Sequence, residues 1–373
     1  MPKLIEQFPD ADCVEQRTAV RRKLLNWFAA NQRDLPWRRN KSRYRIWVSE
    51  IMLQQTQVAT VIDYYRRFMK RFPSIKSLAH ADLDDVLKQW EGLGYYRRAR
   101  QMHAAANVVM ESYRGQFPSD YEEVIQLPGI GRYTAGAILS IADDQRLPIL
   151  EGNTVRLYSR LLLMDSDPRS SENQKWLWEF AERILPRKHT GDFNQALMEL
   201  GALVCTPASP DCERCPLQAH CPTFAQNKQE VIPARGKKTN YQKTKEAVIL
   251  VTRNQRFLVR KCLPGERWAG LWDFPRYSVD GHPAEPHQWL QQQLLNDYGL
   301  TTTIRSLHHR IQHAVTRFRI TLDCYQTTNL QGRLKTRGRE MKWLSPGQIN
   351  ALPMSITGRK IADQLIHSPT NSS

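Results

Sequence analysis

The spacing of apolar residues changes character once along this chain, and that change limits the fold more than any other feature. Up to about residue 225 the apolar positions fall at helical spacing, as in "TAVRRKLLNWFAAN", "VIDYYRRFMKRF", "DLDDVLKQW", "RRARQMHAAANVVMESY", "YTAGAILSIA", "QKWLWEFAERIL" and "FNQALMELGALVC". That spacing predicts helices that each bury one face. The turn-forming stretches "RDLPWR", "GLGYY", "GQFPSD" and "LPGIG" separate them. After residue 246 the texture is strand-like in "EAVILVTR", "RFLVRK", "RITLDCYQT" and "EMKWL", with one helical segment, "PHQWLQQQLLNDYGL". The stretch between, "QNKQEVIPARGKKTNYQKTKE", is polar, basic and poor in large apolar groups. The predicted order is a mostly α domain over 1–225, a basic linker over 226–246, a smaller α+β domain over 247–365 and a flexible tail over 366–373. A chain of 373 residues is long enough for two such cores.

Charge narrows the partners. Lysine plus arginine number 54 against 37 aspartates and glutamates, a net charge of +17. A protein this basic is expected to meet a polyanion, nucleic acid before others. Charge alone leaves a ribosomal or membrane-surface role open. No apolar run approaches the roughly 18 residues of a membrane helix. The N-terminal "MPKLIEQFPDADC" has no apolar core or cleavage site, so a secretion signal is not expected. The thiols are then expected to stay reduced.

Two short stretches carry most of the chemistry. "YEEVIQLPGIGRYTAGAILSIA" (121–142) reads helix, tight turn, helix. Gly129 and Gly131 are expected to adopt backbone conformations closed to other residues. They would present consecutive N–H groups at the start of the second helix, a seat for a phosphate. "CTPASPDCERCPLQAHC" holds Cys205, Cys212, Cys215 and Cys221 with six, two and five residues between them. In a reducing compartment this favours a metal over disulfides, and spacing alone leaves zinc possible. Cys13, Cys262 and Cys324 are scattered and are expected to be ordinary free thiols.

The cysteine spacing resembles the [4Fe–4S] loop (205–221) of the endonuclease III class of DNA glycosylases. With the "LPGIG" hairpin, it makes the chain resemble the helix-hairpin-helix DNA glycosylase superfamily, and within it the MutY-type adenine DNA glycosylases. The likeness runs from "LPWRRNKSRYRIWVSEIMLQQTQV" (35–58) to "RWAGLWDFPRY" (267–277). It implies a helix-hairpin-helix glycosylase domain with a cluster loop, followed by a Nudix-like α+β domain that recognises the lesion. It also implies base excision repair: removal of adenine mispaired with 8-oxoguanine or guanine in double-stranded DNA.

Cleaving an adenine N-glycosidic bond requires protonation of the leaving base and stabilisation of positive charge on the sugar. Two carboxyl groups serve these needs in glycoside chemistry generally. Glu50 lies in the apolar run "IWVSEIMLQQTQV", where a carboxyl group tends to stay protonated. The resemblance places it where the family protonates adenine. The second carboxyl is Glu151 in "ILEGNTVRLYSR", where the family has aspartate. A glutamate keeps the charge and adds a methylene, and misplacement by about 1 Å can cost roughly 10²-fold in rate. Three outcomes stay open: Glu151 works from a shifted backbone, the enzyme is slow, or it is disabled and acts only in mispair binding. Asn153 matches a further active-site position. Tyr133 stands where bifunctional relatives carry a Schiff-base lysine, so base removal without efficient strand cleavage is expected.

The resemblance also assigns contacts to DNA. Gln55 and Tyr95 match residues that intercalate once the adenine leaves the stack. Arg38, Leu53 and Gln195 match adenine-pocket positions, and Thr56 and Leu93 match further DNA contacts. In the second domain, "WLQQQLLNDYGL" offers only Asp297 where a Nudix hydrolase needs several glutamates for Mg²⁺, which argues against nucleotide hydrolysis. The lesion-reading loop, usually Phe-Ser-His, is here Val315, Thr316 and Arg317. Thr316 keeps a hydroxyl, and Arg317 can contact a phosphate or a guanine edge. A monomer in the bacterial cytoplasm, at the nucleoid and away from membranes, completes the expectation. The competing classes are a mispair-binding module, a pyrimidine glycosylase with lyase activity, which Tyr133 opposes, and a zinc-bearing DNA binder.

Overall fold

A computed structural model describes residues 14–234, 240–282, 286–315 and 317–367. The described residues form two compact units. One comprises those up to His80 and those from Gln101 to 234; the other comprises Ala81–Arg100 and those from 240 onward.

The helices in chain order are α1 Val14–Asn31, α2 Arg43–Leu53, α3 Val58–Arg71, α4 Ile75–Ala79, α5 Leu83–Gln89, α6 Arg97–Ser112, α7 Tyr121–Ile125, α8 Arg132–Asp143, α9 Gly152–Leu161, α10 Ser171–Ile184, α11 Thr190–Leu203 and α12 Pro222–Ala225. Every helical stretch expected from the sequence is present. In the first unit, α1 contributes Val20, Leu24 and Phe28 to a core. Leu157 and Tyr158 of α9, Leu177 and Phe180 of α10, and Phe193, Leu197 and Leu200 of α11 complete it. These i, i+3, i+4 sets are the buried stripes that the sequence pattern implies.

Two glycines let α11 come close to its neighbours. A Cβ on Gly191 would stand 2.3 Å from the Ser140 carbonyl of α8, and one on Gly201 would stand 2.6 Å from Cβ of Asn153 in α9. The α8–α11 contact is further tied by Asn194, whose side-chain amide donates to Ser140 Oγ (2.9 Å) and to the Leu147 carbonyl (3.0 Å). Asp144, just past α8, accepts from the backbone N–H groups of His189 (2.9 Å) and Gly191 (3.0 Å), supplying acceptors at the start of α11.

The second unit has two four-stranded sheets. One has the order β5-β1-β7-β6, built from β1 Gln242–Leu250, β5 Arg276–Ser278, β6 Leu300–Val315 and β7 Phe318–Gly332. Strands β1 and β7 are parallel, with Val248 opposite Cys324; the other pairs are antiparallel. The other sheet joins β2 Thr252–Arg253, β3 Arg256–Lys261 and β4 Trp272–Asp273, with β8 Met341–Leu344 also on β3. Side chains alternate across β1. Ala247 and Ile249 pack with Leu290, Leu294 and Tyr298 of α13 (His287–Tyr298). Val248 and Leu250 pack with Ile349 of α14 (Pro346–Asn350) and with Ile361 and Leu365 of α15 (Ile356–His367).

Several features depart from the sequence reading. Strand β1 begins at Gln242, inside the stretch read as linker, because its first residues pair with Phe318–Leu322. Strands β4, β5 and β6 and helices α2, α4, α9, α12, α14 and α15 were not anticipated. Cys262 and Cys324 are buried free thiols, and Cys13 lies outside the described residues. Among the described residues, no helix is long and apolar enough to cross a membrane.

Candidate active site

The site is a cavity of ≈ 420 Å³ in the first unit. Helix α2 supplies Glu50 and Leu53; Gln54, Gln55 and Thr56 follow it. Arg33, Trp37 and Arg38 come from the α1–α2 connection, Tyr133 from α8, and Glu151 and Asn153 from the start of α9. Helix α11 adds Gln195, Met198, Glu199 and Ala202, which its 3.6-residue turn sets on one face. Nine residues singled out in the sequence thus meet at one place: Arg38, Glu50, Leu53, Gln55, Thr56, Tyr133, Glu151, Asn153 and Gln195.

Glu50 is 5% exposed, on a helix whose neighbours Ile46, Trp47, Val48, Ile51 and Met52 are buried too. Burial pushes its carboxyl from 4.5 up to about 7, and the nearby Glu151 carboxylate adds to the rise. A hydrogen bond from Tyr133 and the charge of Arg38 act the other way. The Tyr133 hydroxyl donates to Glu50 Oε2 at 2.5 Å, with Met198 Sδ 3.5 Å away. Burial holds the Tyr133 phenol well above its ordinary value, so it stays a donor.

Glu151 occupies the N-cap of α9, and its longer side chain still closes a capping box. Its Oε1 accepts from the Thr154 backbone N–H (3.0 Å), while Thr154 Oγ1 accepts from the Glu151 N–H (2.8 Å). Asn153 Nδ2 donates to Oε2 at 3.3 Å. Burial raises the Glu151 carboxyl, partly offset by the Asn153 and Thr154 backbone donors. The buried Glu50 and the half-buried Glu151 thus share the cavity, and the charge of Glu151 disfavours ionisation of Glu50.

The Arg33–Glu199 pair in the cavity lining was not foreseen. Glu199, almost fully buried, receives Arg33 Nε at 2.9 Å and Nη2 at 2.7 Å. It also receives Arg38 Nη1 at 3.1 Å and Nη2 at 3.0 Å. Burial raises its carboxyl, but these hydrogen bonds overturn that and hold it at about 2. Arg38 also donates to Gln195 Oε1 at 3.2 Å, which fixes that amide's orientation. The signal was available: Glu199 is a lone charge in the apolar run "FNQALMELGALV", the same logic that singled out Glu50.

Gly129 has φ +79, in the left-handed region, and a Cβ there would meet Gln101 Cβ at 2.8 Å. Gly131 corrects the expectation. It caps α8 with φ −106 and ψ 178, extended backbone that any residue adopts, and a Cβ there meets nothing within 4 Å. Its use is open space at the helix start rather than conformational freedom. Leu93 is buried and Tyr95 is 50% exposed; both belong to the second unit. Arg317, also there, is exposed with its guanidinium 5.2 Å from the Phe318 ring centre; Thr316 lies outside the described residues.

The four clustered cysteines are free and line one small cavity with Leu157, Leu161, Val204, Leu217 and Phe224. Among the described residues no group of three or more metal-binding side chains closes around a single ion. Arg160 of α9 donates from Nη1 to Cys205 Sγ (3.1 Å) and to the Thr206 carbonyl (2.9 Å). It also donates to the carbonyls of Ile232 (2.9 Å) and Gln229 (2.7 Å). Four sulfurs in one apolar cavity, with a guanidinium on one of them, suit a group bound by anionic thiolates. One turn earlier, Arg156 joins Asn153 Oδ1 (2.8 Å) to the Cys205 carbonyl (2.6 Å).

Residues 48–183 match the family model described as HhH-GPD superfamily base excision DNA repair protein, and residues 247–364 match the NUDIX domain. A solved thermostable thymine-DNA glycosylase superposes with a TM-score of 0.52 at 28% identity, over 57% of this chain and 98% of its own. An endonuclease III–DNA covalent intermediate shares the fold at a TM-score of 0.50 and 19% identity, over 57% of this chain and 97% of its own. Fold and cavity therefore define a helix-hairpin-helix DNA glycosylase, a hydrolase of N-glycosyl bonds, joined to a Nudix-like domain. Among relatives, the adenine DNA glycosylase of Buchnera aphidicola subsp. Schizaphis graminum is 38% identical over 291 residues, 78% of this chain and 83% of that protein. The adenine DNA glycosylase of Homo sapiens is 41% identical over 285 residues, 73% of this chain and 51% of that protein. The chain belongs to the adenine DNA glycosylase family and acts in base excision repair.

Proposed function

We propose that the enzyme removes adenine mispaired with 8-oxoguanine or guanine and leaves the DNA strand intact. The observation that carries the reading is the Glu50–Tyr133 hydrogen bond, a buried acid poised near neutrality beside a phenol where a lyase would hold an amine. Tyr133 occupies Oε2 of Glu50, so the acidic proton sits on Oε1. That proton passes to a ring nitrogen of adenine as the bond from the sugar C1′ to the base breaks. The electron pair leaves with the base, and positive charge grows on the sugar. Glu151, oriented by Thr154 and Asn153, stabilises that charge. Water then adds to C1′ and gives its proton to the vacated carboxylate.

Arg38, Gln195 and Leu53 hold the flipped base, and Glu199 orients Arg38 together with Arg33. Gln55 and Tyr95, both exposed and at positive φ (57° and 49°), fill the gap in the stack. Thr56 and Leu93 support these contacts, the Gly129–Gly131 turn seats a phosphate, and Thr316 and Arg317 are assigned to reading the opposing base. Cys205, Cys212, Cys215 and Cys221 hold a [4Fe–4S] cluster that organises the loop and takes no part in bond cleavage. The enzyme works as a monomer at the nucleoid, with the catalytic domain ending near 225.

Single-turnover reaction of a duplex with one 8-oxoguanine·adenine pair tests this. Breaks that require alkali are expected. Breaks without alkali would refute the monofunctional reading. Tight binding with no breaks would favour the mispair-binding reading instead, with Glu151 as its cause.

A further inference from the structure

Residues Ala81–Arg100 lie within the stretch that matches the glycosylase model, yet they fold as part of the second unit. The ties are specific. Asp84 of α5 pairs with Lys261 Nζ at 2.8 Å and accepts from the Trp272 indole N–H at 2.9 Å. Arg100 donates to the Ala269 carbonyl at 2.6 Å, and the Tyr96 hydroxyl donates to the Met354 carbonyl at 3.3 Å. Most directed of all is Arg359, in the first turn of α15. Its Nε and Nη2 reach the two carboxylate oxygens of Glu91 at 2.6 and 3.2 Å, with side-chain exposures of 16% and 13%. The same guanidinium donates to the Leu352 carbonyl at 2.7 Å and to Asn350 Oδ1 at 2.8 Å, so it is held on three sides.

Glu91 begins the turn that displays Tyr95. The backbone there is unusual at successive points: φ is 99° at Gly92, 72° at Gly94 and 49° at Tyr95. A left-handed conformation at an exposed tyrosine is costly and persists only where the surroundings impose it. Three contacts impose it from within. Gly92 N–H donates to the Tyr96 hydroxyl (3.2 Å), the Trp90 indole N–H to the Gly94 carbonyl (3.1 Å), and Arg98 to the same carbonyl (3.2 Å). Arg98 also lies over the Trp90 and Tyr95 rings at 5.4 Å. The Tyr96 hydroxyl is bound to Met354 and Glu91 to Arg359, both from the stretch beyond residue 240.

We infer that Arg359 is a positioning residue for Tyr95: the Nudix-like domain, through the Arg359–Glu91 pair, holds the tyrosine turn in the shape that enters the DNA stack. The domain's role then extends beyond reading the opposing base. The inference rests on the stacking role of Tyr95 proposed above, so the test separates the two. In the full-length protein, Tyr95→Ala, Arg359→Gln and the double variant are compared with the parent. The readout is fluorescence of 2-aminopurine placed at the target adenine, together with the dissociation constant for the same duplex. Glu91→Gln approaches the pair from its other side, and thermal melts identify any variant that has not folded.

The expected result is that Arg359→Gln and Glu91→Gln each lower base extrusion by roughly tenfold, and that adding either to Tyr95→Ala changes nothing further. Effects of Tyr95→Ala and Arg359→Gln that multiply would mean that Arg359 acts elsewhere, and would overturn the inference. So would parental extrusion in both Arg359→Gln and Glu91→Gln beside an impaired Tyr95→Ala. Parental extrusion in Tyr95→Ala would overturn the stacking role itself, and the inference with it.

Discussion

Replacing Glu50 with glutamine should abolish excision and stabilise the protein, and the stabilisation should depend on pH in a predictable way. Burial raises this carboxyl from 4.5 to about 7. Below pH 4.5 it is protonated in folded and unfolded chains alike, so the glutamine gains nothing there. As the pH climbs, the unfolded chain releases the proton first and is favoured by doing so. The folded protein is therefore penalised increasingly up to about pH 7 and by a constant amount beyond. The full rise corresponds to about 3 kcal/mol, reached at pH 8; at pH 5 the penalty is under about 1 kcal/mol. Glutamine carries no ionisable proton, keeps an oxygen for the Tyr133 hydroxyl and escapes the penalty. Urea unfolding of parent and variant at pH 5 and pH 8 measures it. A stability gain equal at both pH values, or absent at pH 8, would refute the assignment of Glu50 as the buried acid, as would surviving excision.

Other outcomes follow from the same geometry. The single-turnover rate of the parent should fall above pH 7, approaching about tenfold per pH unit as Glu50 loses its proton; a profile flat to pH 9 contradicts this. Glu151→Asp keeps the charge and the helix cap and should stay within about tenfold of the parent, whereas Glu151→Gln should lose about 10²-fold or more in single-turnover excision. Gly191→Ala drives a methyl group into the Ser140 carbonyl, separates α8 from α11, and should cost about 1–3 kcal/mol by thermal melting, with slower excision. Arg160→Leu removes four hydrogen bonds around the cysteine loop and should lower both the iron bound per protein and the melting temperature.

What the sequence made legible was what local spacing dictates. Most helices of the first unit follow from apolar periodicity, though α2 and α9, which carry Glu50 and cap on Glu151, were not among the stretches so read; Glu50 is conspicuous because a carboxylate in an apolar run must have a reason to be there. The four cysteines announce themselves by proximity in the chain. The remainder depends on partners far away. Glu199 meets Arg33 and Arg38 across more than 150 residues, and nothing near any of them indicates the pairing. Strand β6, with its two arginines, three histidines and a glutamine, has little strand character of its own and is held by its long ladder to β7. Nothing in "DLDDVLKQWEGLGYYRRAR" tells that it folds with residues from 240 onward, because Asp84 and Glu91 find Lys261 and Arg359 only in the folded molecule.

That last feature bears on how such a protein can be taken apart. A cut near residue 235 looks like a clean separation of modules, but it would strip partners from Asp84, Lys88, Glu91, Tyr96 and Arg100 at one stroke. The shortened chain would carry a surface made for an absent neighbour. A swap of the second half for that of a relative would succeed only if the borrowed part offered matching cations to Asp84 and Glu91. The modules are separable in sequence order and inseparable at this patch, so any recombination of them in evolution or in the laboratory has to carry the patch along.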